Sequence, residues 1–275
     1  IDFDFEYYNK TTTNMLMKMP YSYTTGFSSG WGNIAEMYNR GFDFNIGVDI
    51  IKNKDWYWSV KVNGNYNKNR ITKLLNDADS YTTSDGLRLE VGHSYGDFYG
   101  VRWSHVAPSA VQNVWLDLNG NETKQVSDSY QVMHNKGFVA PWSGGLSSTL
   151  SWKGVQLDLQ FSGMFGRYML NQERWFTENP TFATRMNQST AMFNIWQKPG
   201  DVTDLAAADA TYYGYDDRLL ENASFVRLKF LQLSYTFPTS LLQSTHFIKG
   251  AKVFFVGRNL LTFTGYKGYD PEVDS

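Results

Sequence analysis

Few residues in this 275-residue chain are of a type able to do chemistry, and those few are badly placed for catalysis. The four histidines, His93, His105, His134 and His246, lie far apart and show no ligand spacing. No phosphate-cradling glycine motif stands between a strand pattern and a helix pattern. Without cysteine there is neither a disulfide framework nor a thiolate metal site. One segment, Asp117-Leu-Asn-Gly-Asn-Glu122 with Asp128 beyond it, sets oxygen side chains at alternate positions, as calcium loops do. Such loops carry their turn glycine at the sixth position, and here Glu122 stands there. The plainer reading of Asp117, Asn119 and Asn121 is an Asn-Gly hairpin between Trp115-Leu116 and Lys124-Gln125-Val126. No cofactor is expected, and the chain reads as a protein without enzymatic activity.

What remains is binding chemistry carried by rings. Trp103, Trp115, Trp142, Trp175 and Trp196 fall in long connections between strand patterns, with Tyr95, Tyr99, Tyr212, Tyr213 and Tyr215. Flat rings with a polar handle suit stacking on sugar faces or covering peptide side chains. For any single ring the plainer reading comes first: it packs one loop on another. Trp175 and Trp196 are the strongest candidates for cargo contact, because they share the longest aromatic-rich connection of the C-terminal half.

The elements that must position these rings are strands. Ile1, Phe3, Phe5 and Tyr7 alternate with Asp2, Asp4 and Glu6, and Phe42, Phe44, Ile46, Val48 and Ile50 with Asp43, Asn45, Gly47 and Asp49. Trp56, Trp58, Val60, Val62 and Tyr66 make a third run. Leu146, Leu150 and Trp152 make a fourth. In the fifth, Val155, Leu157, Leu159 and Phe161 are predicted to face lipid, and Gln156, Asp158 and Gln160 a lumen. The sixth changes phase between Val226-Arg-Leu228 and Leu231, Leu233, Tyr235, which predicts a β-bulge near Lys229-Phe230. Val253, Phe255, Leu261 and Phe263 form the seventh.

Lys52-Asn-Lys-Asp55, Lys153-Gly154 and the 238–250 connection are short or moderate, with an apolar Leu241-Leu242 stretch in the last. They alternate with long connections expected near 9–40, 71–142, 167–221 and after 264. Short turns on one side and long loops on the other are the pattern of an outer-membrane barrel, whereas a soluble sandwich tends to have similar loops at both ends. Aromatic content of 17% agrees, since rings gather at both membrane interfaces. Mean hydropathy is −0.43, and no run approaches the roughly 20 apolar residues of a spanning helix. Net charge of −2 leaves no basic footprint for nucleic acid.

The expected fold is therefore all-β: about seven strands of an antiparallel transmembrane β-barrel with long extracellular loops. Seven strands do not close a wide polar lumen. The start at Ile1 inside a strand pattern, and the stop at Asp274-Ser275 after a loop signal, read as cuts.

Specific motifs carry a resemblance. Asn222-Ala-Ser-Phe-Val-Arg-Leu-Lys-Phe-Leu-Gln-Leu-Ser-Tyr-Thr-Phe-Pro238, Val253-Phe-Phe-Val-Gly-Arg-Asn-Leu-Leu-Thr-Phe-Thr-Gly-Tyr266 and Lys267-Gly-Tyr-Asp-Pro-Glu272 resemble consecutive segments of SusC/RagA-type TonB-dependent transporters of Bacteroidetes. Upstream, Asp4-Phe-Glu-Tyr-Tyr-Asn-Lys-Thr-Thr12, Asn33-Ile-Ala-Glu-Met-Tyr-Asn-Arg-Gly-Phe42 and Gly96-Asp-Phe-Tyr-Gly100 follow in the same order. Gly100-Val-Arg-Trp-Ser-His105 departs from the family's usual loop at that point.

The resemblance implies that residues 1–275 are part of a single barrel domain of about twenty-two strands around a plugged lumen. The plug domain, signal peptide and final strand would lie outside it. It also implies an outer-membrane location in contact with lipid, a SusD-like surface lipoprotein as lid, and coupling to the TonB complex. The cargo would be a large nutrient, oligosaccharide first and oligopeptide as the alternative. A non-transporting adhesin and a soluble lectin are the rival readings.

Overall fold

In the computed structural model, residues 1–83, 86–109, 112–243 and 247–273 are described; His246 and Asp274-Ser275 lie outside them. Seven long strands form one antiparallel sheet in sequence order. They are β1 (Asp2–Pro20), β2 (Ser29–Lys52), β3 (Trp56–Leu74), β4 (Trp142–Trp152), β5 (Val155–Phe165), β6 (Phe225–Thr236) and β7 (Lys252–Thr264). Among the described residues β1 and β7 pair on one side only. No helix among them is long and apolar enough to cross a membrane, which leaves strand crossing open.

Register explains the faces. Phe42, Tyr66, Trp142 and Phe165 lie side by side across β2, β3, β4 and β5. Ten residues lower, Trp56, Trp152, Val155, Tyr235 and Val253 form a second row. At ~3.3 Å per residue and a tilt of ~40°, the rows stand about 25 Å apart, the height of an outer-membrane barrel's apolar band. The rings of each row touch. Trp56 stacks on Trp152 with centroids 5.5 Å apart, and Tyr66 meets Trp142 at 4.7 Å. Between the rows the same face carries Ile46, Leu146, Leu233, Phe255 and Leu261, all exposed. A bare apolar face of this extent needs a cover, and a bilayer's hydrocarbon between two aromatic rows provides one.

The other face is polar and self-bonded. Asn65 donates to Asp43 at 2.5 Å, Thr149 to Asp158 at 2.8 Å, and Gln156 to the same Asp158 at 2.7 Å. A hollow of about 470 Å³ runs along it past Asn45, Asn63, Ser143, Lys229 and Glu272. The segment after β7 folds back over this face. There Glu272 meets Arg227 at 2.6 Å and Lys229 at 2.7 Å, and Asp270 meets Arg227 at 2.5 Å.

The bulge lies where the phase change places it. Leu231 pairs with Leu159 and Leu228 with Phe161, so one extra residue of β6 keeps both leucines on the apolar face. Lys153 and Gly154, with φ of 44° and 92°, make the two-residue turn between β4 and β5, a conformation that favours glycine at its second place. In the turn before β3 the Asn53 side chain accepts the Asp55 and Trp56 amides.

Two expectations need correction. The 9–40 connection is mostly strand: β1 and β2 continue to Pro20 and from Ser29, leaving 21–28 as the link. Lys10-Thr-Thr-Thr-Asn-Met15 has no alternation because neither face there meets lipid, and bulges around Met15 interrupt the register. Trp142 is not a loop residue. It opens β4 and belongs to the upper aromatic row.

Candidate functional site: the aromatic loop layer

Above the upper row, the connections 75–141 and 166–224 fold into a layer with cores of its own. One core is Ile34, Ala35, Ile71, Leu74 and Leu89, covered by Met15, Met17 and Tyr95. It uses the protruding ends of β2 and β3, which explains why those strands outrun the apolar band. A second core is Val106, Trp196, Ala206, Ala207 and Ala210, with Trp103 and Tyr212 against it. Both bring together residues that are remote in sequence.

The tryptophans therefore fall into different settings. Trp115, in the short strand Asn113–Leu116, is fully buried and donates from Nε1 to Asp216 at 3.0 Å. Trp196 is 8% exposed and donates to the Pro108 carbonyl at 3.3 Å. Neither ring face is open to a ligand. Trp103 is half-buried and donates to Asn113 at 3.0 Å, with the Arg218 guanidinium 5.9 Å from its ring. Trp175, in the short helix Gln172–Thr177, is half-buried against Phe182 and the Gly214 backbone. A Cβ at Gly214 would come within 3.1 Å of that indole.

Asp117 begins a hairpin turn, as its Asn-Gly sequence suggests. Its Oδ1 accepts the Asn119 and Asn121 amides at 2.8 Å each, and its Oδ2 accepts the Asn121 side chain at 3.1 Å. These bonds hold its carboxyl below the usual carboxylate range. Among the described residues no three acidic or histidine side chains gather as a metal group. His93 approaches Glu90 and Asp97, His105 approaches Glu122, and His134 approaches Asp217.

The layer holds a ring-lined cleft of about 560 Å³, just beyond the upper ends of β4 and β5. Tyr99, Tyr215, Phe98, Phe138 and Tyr168 line it, with Arg88, Gln131 and Gln172 as polar groups. Tyr99 comes from the short strand Asp97–Gly100, which pairs with Val132–Gly137. Tyr168 comes from Tyr168–Leu170, paired with Leu220–Asn222. Tyr213 holds Gln131 in the wall by accepting its side-chain N–H at 2.9 Å, while donating to Asp128. Burial, then that bond to Asp128, pushes the Tyr213 hydroxyl up to about 12. Of the aromatic residues singled out from sequence, the cleft gathers Tyr99 and Tyr215. Arg88, Phe98, Phe138 and Tyr168 carry no local signal, because only long-range packing brings them together.

This architecture has known counterparts. The structure titled "Structure of the RagAB peptide transporter" superposes with a TM-score of 0.89 and 35% identity over 98% of this chain. TonB-dependent receptor P3 of Formosa agariphila is 28% identical over the whole chain, and TonB-dependent receptor SusC of Bacteroides thetaiotaomicron is 26% identical over 98% of it. The chain is similar to a section of the SusC/RagA type of TonB-dependent receptors. No protein-family model matches it. It spans 29% of the P3 receptor, 27% of SusC and 30% of the RagAB chain. The seven strands are thus a section of the family's barrel wall, and the ring-lined cleft belongs to the loop layer above that section.

Proposed function

We propose that this chain forms part of the wall and outer loop layer of an outer-membrane importer for large nutrients. The carrying observation is the sheet itself, with an apolar face held between two aromatic rows and an opposite face lined by Asp, Asn, Gln and Lys. Such a wall separates lipid from an aqueous lumen and catalyses nothing. The power stroke would come from a plug moved by the TonB complex, with a SusD-like lipoprotein closing the loop layer from outside. Both partners are inferred from the family.

Oligopeptide is the cargo that two observations support. The cleft is walled mainly by rings and aliphatic chains, Phe98, Phe138, Tyr99, Tyr168 and Leu220 among them, a lining that suits peptide side chains better than sugar hydroxyls. The similar RagAB structure is titled a peptide transporter. Oligosaccharide is the second reading, supported by the Tyr215 ring, which is 55% exposed at the cleft and able to stack on a sugar face. Deleting the complete gene should slow growth on peptides as sole nitrogen source and leave growth on free amino acids unchanged. Slower growth on an oligosaccharide alone would favour the second reading, and no growth defect on either would refute import.

A further inference from the structure

The cleft contains a cation that faces no acid among the described residues. Arg88 lies on the short strand Arg88–Glu90 and lines the wall. Its terminal nitrogens each give one hydrogen bond to a neutral hydroxyl, Thr82 at 3.1 Å and Ser80 at 2.6 Å. Its Nε–H is shut away from water without an acceptor. Its guanidinium lies 5.1 Å from the centre of the Tyr99 ring. Among the described residues it makes no ion pair. The acid in the same wall, Asp97, is turned away, accepting the Ser94 amide at 3.0 Å and facing His93 at 3.7 Å.

A guanidinium has five N–H donors and matches a carboxylate in a two-pronged geometry. Here hydroxyls take two donors and leave the charge uncancelled, so the preferred ligand is an anion with a flat pair of oxygens. The rest of the wall fixes what that anion is attached to. Phe98, Phe138 and Tyr215 surround it with apolar surface, and the cleft of about 560 Å³ has room for one or two residues. A sugar acid could lay one C–H face on a ring, but the hydroxyls around its edge would outnumber the wall's amides, Gln131 and Gln172, and leave some without protein partners. An α-carboxylate beside an apolar side chain leaves none.

We propose that this cleft is a subsite for the C-terminal residue of an oligopeptide, with Arg88 holding the α-carboxylate and the aromatic wall taking an apolar side chain. The proposal rests on the import reading above and adds to it a chemical end of the cargo. Carboxylate recognition by one charged group, with loose apolar contacts around it, would accept many peptides and select for a free end.

The test uses the full-length transporter with its partner lipoprotein, purified in detergent and titrated by calorimetry. The probes are triphenylalanine, its C-terminal amide, and trigalacturonate. Wild-type protein should hold the acid at least tenfold more tightly than the amide. In Arg88→Gln the affinity for the acid should fall to that for the amide, and Arg88→Lys should restore part of the difference. Heat-modifiable migration of each variant checks that the barrel has assembled. Equal binding of acid and amide by wild type, or an equal loss of both in Arg88→Gln, would overturn the proposal. So would tighter, Arg88-dependent binding of trigalacturonate than of triphenylalanine, or no binding of triphenylalanine. The growth assay on the gene deletion is independent of Arg88, so it separates a failed subsite from a failed import reading.

Discussion

At the residue scale, function divides by what each side chain faces. Leu159 lies near mid-height on the apolar face of β5, and Gln160 beside it faces the polar side. Arginine at Leu159 should cost the complete barrel about 2–4 kcal/mol in denaturant titrations, and arginine at Gln160 close to nothing. Equal costs would mean that β5 does not separate lipid from lumen. In the loop layer, burial pushes the Asp216 carboxyl up to about 6, against the pull of Arg218 and the Trp115 bond. The folded state then holds a proton that the unfolded chain, with a carboxyl near ~4, has already released. Loop stability should therefore fall as pH rises from about 4 to about 6 and level off above. Loop melting followed by tryptophan fluorescence should occur at higher temperature at pH 5 than at pH 7, and Asp216→Asn should remove that difference. The alternation of Val155 to Phe161 made the wall legible in sequence, because lipid imposes a period of two. The burial of Trp115 and Trp196 was not legible, since their covers, Asp216 and the Pro108 carbonyl, lie 101 and 88 residues away.

At the scale of elements, β6 is the most demanding strand. The extra residue at Lys229 lets Leu228 and Leu231 share the apolar face, and it leaves Arg227 and Lys229 together on the polar side, where Glu272 bridges them. Deleting Gln232, outside the bulge, would slide one half of the strand by one place and turn its leucines or its arginine to the wrong face, whereas losing the extra residue Lys229 would leave a regular alternation. The Gln232 deletion should abolish heat-modifiable barrel in outer-membrane fractions. Lys229→Ala should assemble, because it keeps the residue count and leaves Arg227 to hold Glu272. Normal assembly of the Gln232 deletion would show that the residue count of β6 does not set the register. The phase change was visible in sequence because it interrupts an otherwise strict alternation. The upper halves of β1 and β2 were not, because they rise above the apolar band and pack against loops.

At the scale of the whole molecule, the sheet is a curtain with unlike sides and unlike ends. Among the described residues its two outer strands have free edges, and unpaired backbone is excluded from hydrocarbon, so the sheet works only within a closed ring of strands. Its lower end has tight turns at 53–55 and 153–154, and its upper end carries the folded loop layer with the cleft. The proposed import requires that layer to face the outside, where cargo would arrive. Cysteine replacing Asn187, exposed in the 166–224 connection, and cysteine replacing Lys54, exposed in a lower turn, probe the two ends. Lys54 is preferred to its neighbour because the Asn53 side chain holds the turn. On intact cells carrying the full-length protein, a membrane-impermeant thiol reagent should label Asn187→Cys at once and reach Lys54→Cys only after the outer membrane is permeabilised. Equal labelling of both on intact cells, or labelling of Lys54→Cys alone, would contradict the account.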